Sequence, residues 1–591
     1  MNVSTLDWAI IAAFFIISLL IGLFTAKTAG SSAKEFFLSG RNMPWWLLGV
    51  SMVATTFSAD TPNLVTDIVR KNGVAGNWAW WAFLLTGMLT VFVYAKLWRR
   101  SEVTTDLEFY ELRYSGKGAA FLRAFRAIYL GVFFNVVIMA TVSLAAIKIG
   151  GVMLGLSPVQ TLLIASIVTV VYSSLGGLKG VLLTDFFQFF IAIIGSFGAA
   201  FYILDLPEIG SLNNLLAHEV VSTKLDFLPD FSDPNVYIPI FILPIAIQWW
   251  ATWYPGAEPG GGGYIAQRML SAKDEKNAIG ATLFFNVAHY ALRPWPWIIV
   301  ALSSLVIFPN ISDLQEAFPH IPVDKLGDDL AYPAMLSFLP TGLVGIVLAS
   351  LIAAVMSTLS THLNWGSSYV VNDFYLRFVK PDASDKQLVA VGRISTVLLM
   401  GLSAVLALAL SSALDAFQIL LQIGAGTGLI FILRWFWWRI NAYTEISAMA
   451  ISFVVAIFFE VINPKLGLID IPADQSYLKL IYSVSITTVG WLIVTFLTQP
   501  EKDEVLLAFY RKVTPAALGW RKVLDRYPSE QVVVGTLGKE IGLMITGTFM
   551  VYSALFSTGF FIYGEVVPGF IAAVIALGGG FIIIKSWKKL K

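Results

Sequence analysis

The stretch VSMVATTFSADTPNLVTDIVRKNG, Val50 to Gly73, decides the fold. It is apolar enough to enter a membrane, yet Asp60, Pro62 and Asp67 lie inside it. Proline removes an amide donor and clashes with the preceding turn, and a charge at mid-membrane costs roughly 2.5 to 3.5 kcal/mol. The span therefore cannot run as one unbroken helix. A second such stretch, ILPIAIQWWATWYPGAEPGGGGYIAQR, follows from Ile242 to Arg268 with Pro244, Pro255, Pro259 and a run of four glycines. These are the second and seventh apolar spans of the chain. Two broken helices five spans apart are what a pair of inverted five-helix repeats requires, with unwound backbone offering carbonyl oxygens at the breaks.

The composition sets the solvent. Of 591 residues, 57% are hydrophobic and 13% charged, with a mean hydropathy of +0.75, so the chain reads as an all-α polytopic membrane protein. A net charge of +1 gives no reason to invoke nucleic acid, and the absence of cysteine excludes disulfides, thiolate metal sites and cysteine nucleophiles. The four histidines, His218, His289, His320 and His362, form no close pair of the kind zinc hydrolases use. No catalytic cluster is recognisable and the chain is not read as an enzyme. There is no GxxxxGK[ST] motif either, so any energy is expected to come from an ion gradient rather than ATP.

Apolar windows of span length fall near 6–26, 44–68, 74–97, 121–154, 157–177, 181–204, 236–256, 278–307, 340–370, 388–411, 414–438, 443–462, 476–499, 539–562 and 566–586, about 15 helices. The first has no Lys or Arg before it and Lys27, Lys34 and Arg41 after it, the reverse of a cleavable signal, which puts the N-terminus outside. Most basic residues then fall inside, among them Arg99, Arg100, Arg113, Arg123, Arg126, Arg268, Arg377 and the tail KSWKKLK, while the acidic loops after Leu204 and Phe308 fall outside. The C-terminus is expected in the cytoplasm and the protein in the plasma (inner) membrane. The expected layout is an extra helix and cytoplasmic loop (1–43), a first inverted repeat (44–204), an extracellular loop (205–235), a second repeat (236–440), and C-terminal helices (441–591) with a cytoplasmic loop at 499–539.

Within the ninth span, AAVMSTLSTHLN (Ala353 to Asn364) carries five polar residues in eight positions. Ser357, Ser360, Thr361 and Asn364 fall at i, i+3, i+4 and i+7, one helical face, with Thr358 beside it. Such hydroxyls can bond back to their own helix or join helices together, but several neutral oxygens with at most one carboxylate also suit a monovalent cation. The charges expected within the membrane are Asp60, Asp185, Glu258 and Arg293. Arg293 either pairs with an acidic neighbour such as Asp60 or Glu258, or faces a substrate cavity. Trp78, Trp80, Trp81, Trp249, Trp250, Trp253, Trp295 and Trp297 crowd the spans around that cavity, and such rings stack on sugars and cations or form interfacial belts.

The combination FFLSGRNMPWWLLGVSMVATTFSAD, GGLKGVLLTDFFQ, YIAQRMLSAKD, AAVMSTLSTHLN and VVNDFYLR, in this order over about residues 5–440, resembles the sodium:solute symporter family of sodium/glucose, proline and sialic acid cotransporters. The resemblance implies a LeuT-like fold, two inverted repeats with one preceding and about four following helices, and Na+ as the coupling ion. It implies a main sodium site from the carbonyls of Ala54, Phe57 and Ala354 and the hydroxyls of Ser357 and Thr358, and a possible second one from Asp185, Ser360 and Thr361. For substrate it points to Asp60, Thr61, Trp80, Trp249, Trp253, Arg293 and Gln422; Trp80 stands near where the sugar carriers have an acidic residue. The function so implied is sodium-coupled symport of a small polar solute, a sugar, polyol or sugar acid, by alternating access. An amino-acid or other carboxylate symporter, and a solute sensor built on a symporter-like domain, are the alternatives. The expected partners are the solute, sodium and the lipid bilayer, with no nucleic acid and no obligatory protein partner.

Overall fold

The structure is a computed structural model that describes residues 3–587 apart from Phe57, 252–257, 411–423, 425, 473–474 and 529–536. Eleven of its helices are long and apolar enough to cross a membrane: Thr5–Ala29, Val74–Ser101, Gly116–Leu154, Gly176–Leu204, Glu275–Ile307, Leu343–Val379, Asp385–Ala409, Ala442–Leu466, Leu478–Leu497, Leu537–Ile562 and Val566–Ser586. At 1.5 Å per residue, about 20 residues cover a 30 Å hydrocarbon layer. Three shorter apolar helices, Trp45–Thr56, Pro158–Val171 and Pro234–Ala246, fall where the sequence places spans two, five and seven. The expected window 414–438 lies largely outside the described residues.

Both breaks are present. The second span is two half-helices, Trp45–Thr56 and Asp60–Asn72, meeting at the SAD sequence. The seventh begins as Pro234–Ala246, and the next α-helix among the described residues, Gly263–Ser271, lies beyond the apolar window; it carries Gln267 and Arg268 and is still buried along its whole length. Hydropathy cannot see a half-helix whose polar residues face protein rather than lipid.

The N-terminal helix is fixed at its start by a capping box, Ser4 Oγ accepting from the Asp7 amide at 3.2 Å. Asp7 also accepts the amides of Gly342 and Gly345 at 2.7 and 2.8 Å, tying this helix to the first turn of Leu343–Val379. The most extensive packing of the fold sets the helix ending at Leu204 against Leu343–Ser368, which brings Asp185 onto the hydroxyl face. Between Pro158 and Leu204 the chain turns at Gly177, with φ 53° and ψ −162°, a conformation closed to other residues. A Cβ there would lie 2.9 Å from the Phe36 carbonyl oxygen. Gly177→Ala is expected to cost about 1 to 3 kcal/mol, read as a lowered unfolding temperature, and an unchanged temperature would mean that the turn relaxes freely.

Arg113, Arg123, Arg126 and Arg268, counted by sequence among the inner-side charges, are all buried within the protein. The expected loop 499–539 is largely a docked structure where described: Asp503–Val513 is helical, and Phe509 and Trp520 are fully buried beneath the Arg113 guanidinium, 5.4 and 5.1 Å from it. The C-terminal helices Leu537–Ile562 and Val566–Ser586 pair with each other, and the first of them lies on Val74–Ser101 and on the middle of Glu275–Ile307. Tyr552 donates to the Trp81 carbonyl at 2.8 Å, Trp295 donates to the Leu555 carbonyl at 3.0 Å, and Lys96 pairs with Glu540.

Candidate functional site

A helix that stops inside a protein leaves its last carbonyls without helical partners. At the end of Trp45–Thr56 three of these four carbonyls take side chains. Arg293 donates to Val53 O at 2.7 Å and Thr56 O at 3.2 Å, and Thr358 donates to Thr55 O at 2.8 Å. Among the described residues the Ala54 carbonyl takes no side-chain donor. Ala354, Ser357 and Thr358 are all buried on the facing helix, so four of the five residues implied for the main sodium site converge on this break. Phe57 lies outside the described residues.

The hydroxyl face is resolved into distinct duties. Ser357 donates to Asp185 Oδ1 at 2.6 Å, and Ser51 donates to Asp185 Oδ2. Thr361 Oγ1 lies 3.0 Å from Thr55 Oγ1. Ser360 instead bonds back to the Ser357 carbonyl at 3.0 Å, the local alternative open to any helical serine. Asn364 accepts from Gln267 at 3.0 Å. Asp185 is fully buried, so it does not snorkel to an interface.

Into this cluster comes a residue that the sequence reading counted only as an inner-side charge at the end of the seventh stretch. Arg268, fully buried, donates to Thr361 Oγ1 at 2.8 Å and Ser51 Oγ at 3.1 Å, and its Nη2 lies 3.7 Å from Asp185 Oδ2. Its helical position offered a signal: Tyr264, Gln267 and Arg268 stand at i, i+3 and i+4 directly after the glycine run.

Arg293 meets neither acid proposed for it in the contacts described above. Its partners there are the two carbonyls, His289 and the Trp297 ring at 5.2 Å. Glu258 is held elsewhere, between Arg126 and Arg434, the latter at 2.9 Å. Arg434 also lies 3.5 Å from Glu445, which accepts the Tyr114 hydroxyl at 2.5 Å. Asp60 and Thr61 are half-buried at the break, and Asp60 Oδ1 has no hydrogen-bond partner among the described residues. Trp80 stacks on Tyr290 with centroids 5.8 Å apart and meets His289 edge-on at 5.5 Å, which places it beside Arg293. Trp78, Trp81 and Trp295 are spent on packing against Tyr552, Phe556 and Tyr563 of the C-terminal hairpin. Trp249 is half-buried against Trp250, and Trp253 and Gln422 lie outside the described residues.

Residues 36–452 match the model of the sodium:solute symporter family. The chain belongs to this family. Within it, the chain is 26% identical over 493 residues to the sodium/glucose cotransporter of Vibrio parahaemolyticus, covering 79% of this chain and 88% of that protein. It is 27% identical to sodium/myo-inositol cotransporter 2 of Oryctolagus cuniculus, over 85% of this chain and 78% of that one. It is 25% identical to the sodium/mannose cotransporter SLC5A10 of Bos taurus, over 68% and 69%. A solved Na+-coupled sialic acid symporter, in a substrate-bound outward-open state, superimposes with a TM-score of 0.66 at 20% identity, over 85% of this chain and 99% of the other. That likeness establishes the fold as LeuT-like. As a sodium:solute symporter the protein is a sodium-coupled, multi-pass membrane carrier of small solutes, and Na+ is its coupling ion.

Proposed function

We propose that this symporter imports a neutral polyhydroxylated solute, a sugar or polyol, by alternating access, with sodium bound by the Ala54, Phe57 and Ala354 carbonyls and the Ser357 and Thr358 hydroxyls. The observation that carries the substrate class is that the charges at the break are not paired with each other. Arg293 is committed to helix-end carbonyls, so it is a poor receptor for a carboxylate, while Asp60 keeps a buried oxygen without a donor. A buried unpaired acceptor costs about 1 to 3 kcal/mol, which a solute hydroxyl recovers and a solute carboxylate does not. The Trp80 and Tyr290 rings supply a stacking face beside it. Relatives that carry glucose, mannose and myo-inositol support the same reading.

In this reading the N-terminus faces outside, the C-terminus faces the cytoplasm, and the two broken helices open the repeats 44–204 and 236–440. Each sodium ion entering down a tenfold gradient contributes about 1.4 kcal/mol, and about 2.3 kcal/mol more per 100 mV. One ion supports a solute gradient of a few hundredfold, two ions about 10⁵-fold.

The test is thermal stability of the purified protein in sodium against potassium at equal ionic strength, across sugars, polyols, sugar acids and amino acids. Only a ligand that prefers the folded state raises its stability. Sodium is expected to stabilise, and sugars or polyols to add to it in sodium alone. A sugar acid or amino acid giving the larger increment would overturn the substrate class. Asp60→Asn is expected to weaken the neutral solute about tenfold to 100-fold without changing the sodium response.

A further inference from the structure

Arg268 and Asp185 meet in a pocket made almost wholly of hydroxyls. Arg268 Nε and Nη2 donate to Ser51 Oγ at 3.3 and 3.1 Å, Nη2 also reaches Thr361 Oγ1 at 2.8 Å and Thr55 Oγ1 at 3.5 Å, and Nη1 donates to Gln267 Oε1 at 3.2 Å. The Asp185 carboxylate is 3.7 Å from Nη2 and is the one acid among these contacts. Ser51 and Ser357 give their protons to Asp185, which leaves their oxygen lone pairs for a cation. We propose that the Arg268 guanidinium is the resident cation of this pocket, and that a sodium ion enters beside Asp185 only by displacing it. Occupation of a second ion site is thereby coupled to movement of the half-helix Gly263–Ser271. This rests on the sodium-symport reading above and extends it to a residue outside the implied ligand set.

Three features carry the proposal. The first is charge: one buried carboxylate balances one cation, and two cations sharing it in a low-dielectric interior repel strongly. The second is overlap, since Asp185 and Thr361, both implied as second-site ligands, are the groups Arg268 engages. The third is the hinge-like build of the support, whose near end is held in place by Trp98 donating to Gly260 O and Gly263 N donating to Asp106 Oδ2, both at 2.8 Å. Gly260 and Gly261 have φ of 87° and 89° and Gly263 has φ of 55°, all in the region that glycine alone adopts freely, so the half-helix starts from a backbone joint. Its far end is pinned, with Met43 N donating to Ser271 O at 3.1 Å and Lys273 N to Met43 O at 3.0 Å. A helix jointed at one end and pinned at the other can pivot. One turn before Arg268, the Tyr264 ring lies 5.7 Å from the guanidinium and offers it an aromatic face on leaving.

The experiment is a sodium titration of thermal stability for the wild type, Arg268→Gln, Arg268→Lys and the double variant Arg268→Gln/Asp185→Asn, with potassium replacing sodium. Arg268→Gln keeps hydrogen-bond capacity and loses the charge. It is expected to be destabilised in potassium and restored by sodium, with half-maximal effect at about tenfold lower sodium than the wild type. Arg268→Lys is expected to stay near the wild type, and the neutral double variant to lose the gain. Equal or weaker sodium affinity in Arg268→Gln overturns the proposal. Amide hydrogen exchange of the half-helix Gly263–Ser271, followed in sodium and in potassium on the wild type, tests the coupling without altering the pocket. Sodium is expected to change the protection of these amides about tenfold, and to do so no longer once Asp185→Asn is added. Unchanged protection in saturating sodium overturns the coupling even where Arg268→Gln does not fold. Failure of the underlying reading looks different: Thr358→Ala, which does not touch Asp185 in the contacts above, would then keep the full sodium response.

Discussion

Ser357→Ala is expected to lower sodium-driven uptake by at least about 100-fold while the protein still folds in potassium. The serine hydroxyl is buried at the break and donates to Asp185 at 2.6 Å, while the next residue, Thr358, reaches Thr55 O. Losing it removes an oxygen from the expected ion site and one donor from a buried carboxylate. The second loss costs about 1 to 3 kcal/mol, which a protein of this size survives. Thr358→Ala should give a similar transport defect through the main site alone. The measurement is initial uptake in proteoliposomes with an imposed sodium gradient, alongside thermal unfolding in potassium. Normal uptake by Ser357→Ala would leave the hydroxyl face as a helix-joining device.

Glu258→Gln is expected to be the most destabilising single change proposed here, by about 3 to 5 kcal/mol. Its carboxylate lies between two buried arginines, Arg126 on the helix Gly116–Ile128 and Arg434 in a turn, and its exposure is 3%. Taking away the charge leaves both guanidiniums in a dry interior with Glu445 the remaining acid near Arg434. Pairing the change with Arg434→Met should recover part of the loss, because an apolar replacement removes the stranded cation. Thermal unfolding of the single and double variants checks this, and a single variant as stable as the wild type would show that the three charges are not coupled. The glycine run that follows Glu258 is thus anchored at this residue.

Much of the architecture was legible because membrane solvent imposes length and hydropathy on every crossing helix. The first break was legible for the same reason: Asp60 and Pro62 have no other explanation inside an apolar run. The partners of Arg293 were not, since backbone carbonyls leave no mark in a sequence, and the search went to Asp60 and Glu258 instead. The contacts of Arg268 were not legible, because a charge count assigns arginines to a membrane side by neighbourhood and carries nothing of the tertiary packing that buries this one against Asp185 and four hydroxyl or amide groups. Ser360 shows the converse limit. Its place on the hydroxyl face was correctly read from periodicity, but periodicity fixes a direction only, and the hydroxyl turned to its own helix.

The C-terminal hairpin lies beyond residue 452, where the family match ends, and it grips Val74–Ser101 and Glu275–Ile307 through Tyr552, Glu540 and Leu555. Its second helix, Val566–Ser586, is apolar and mostly exposed, a surface suited to lipid. Any displacement of the two gripped helices during transport would carry this hairpin with it, so the viscosity of the surrounding lipid is expected to slow that step without changing its equilibrium, and shortening the chain before Leu537 is expected to relieve the drag.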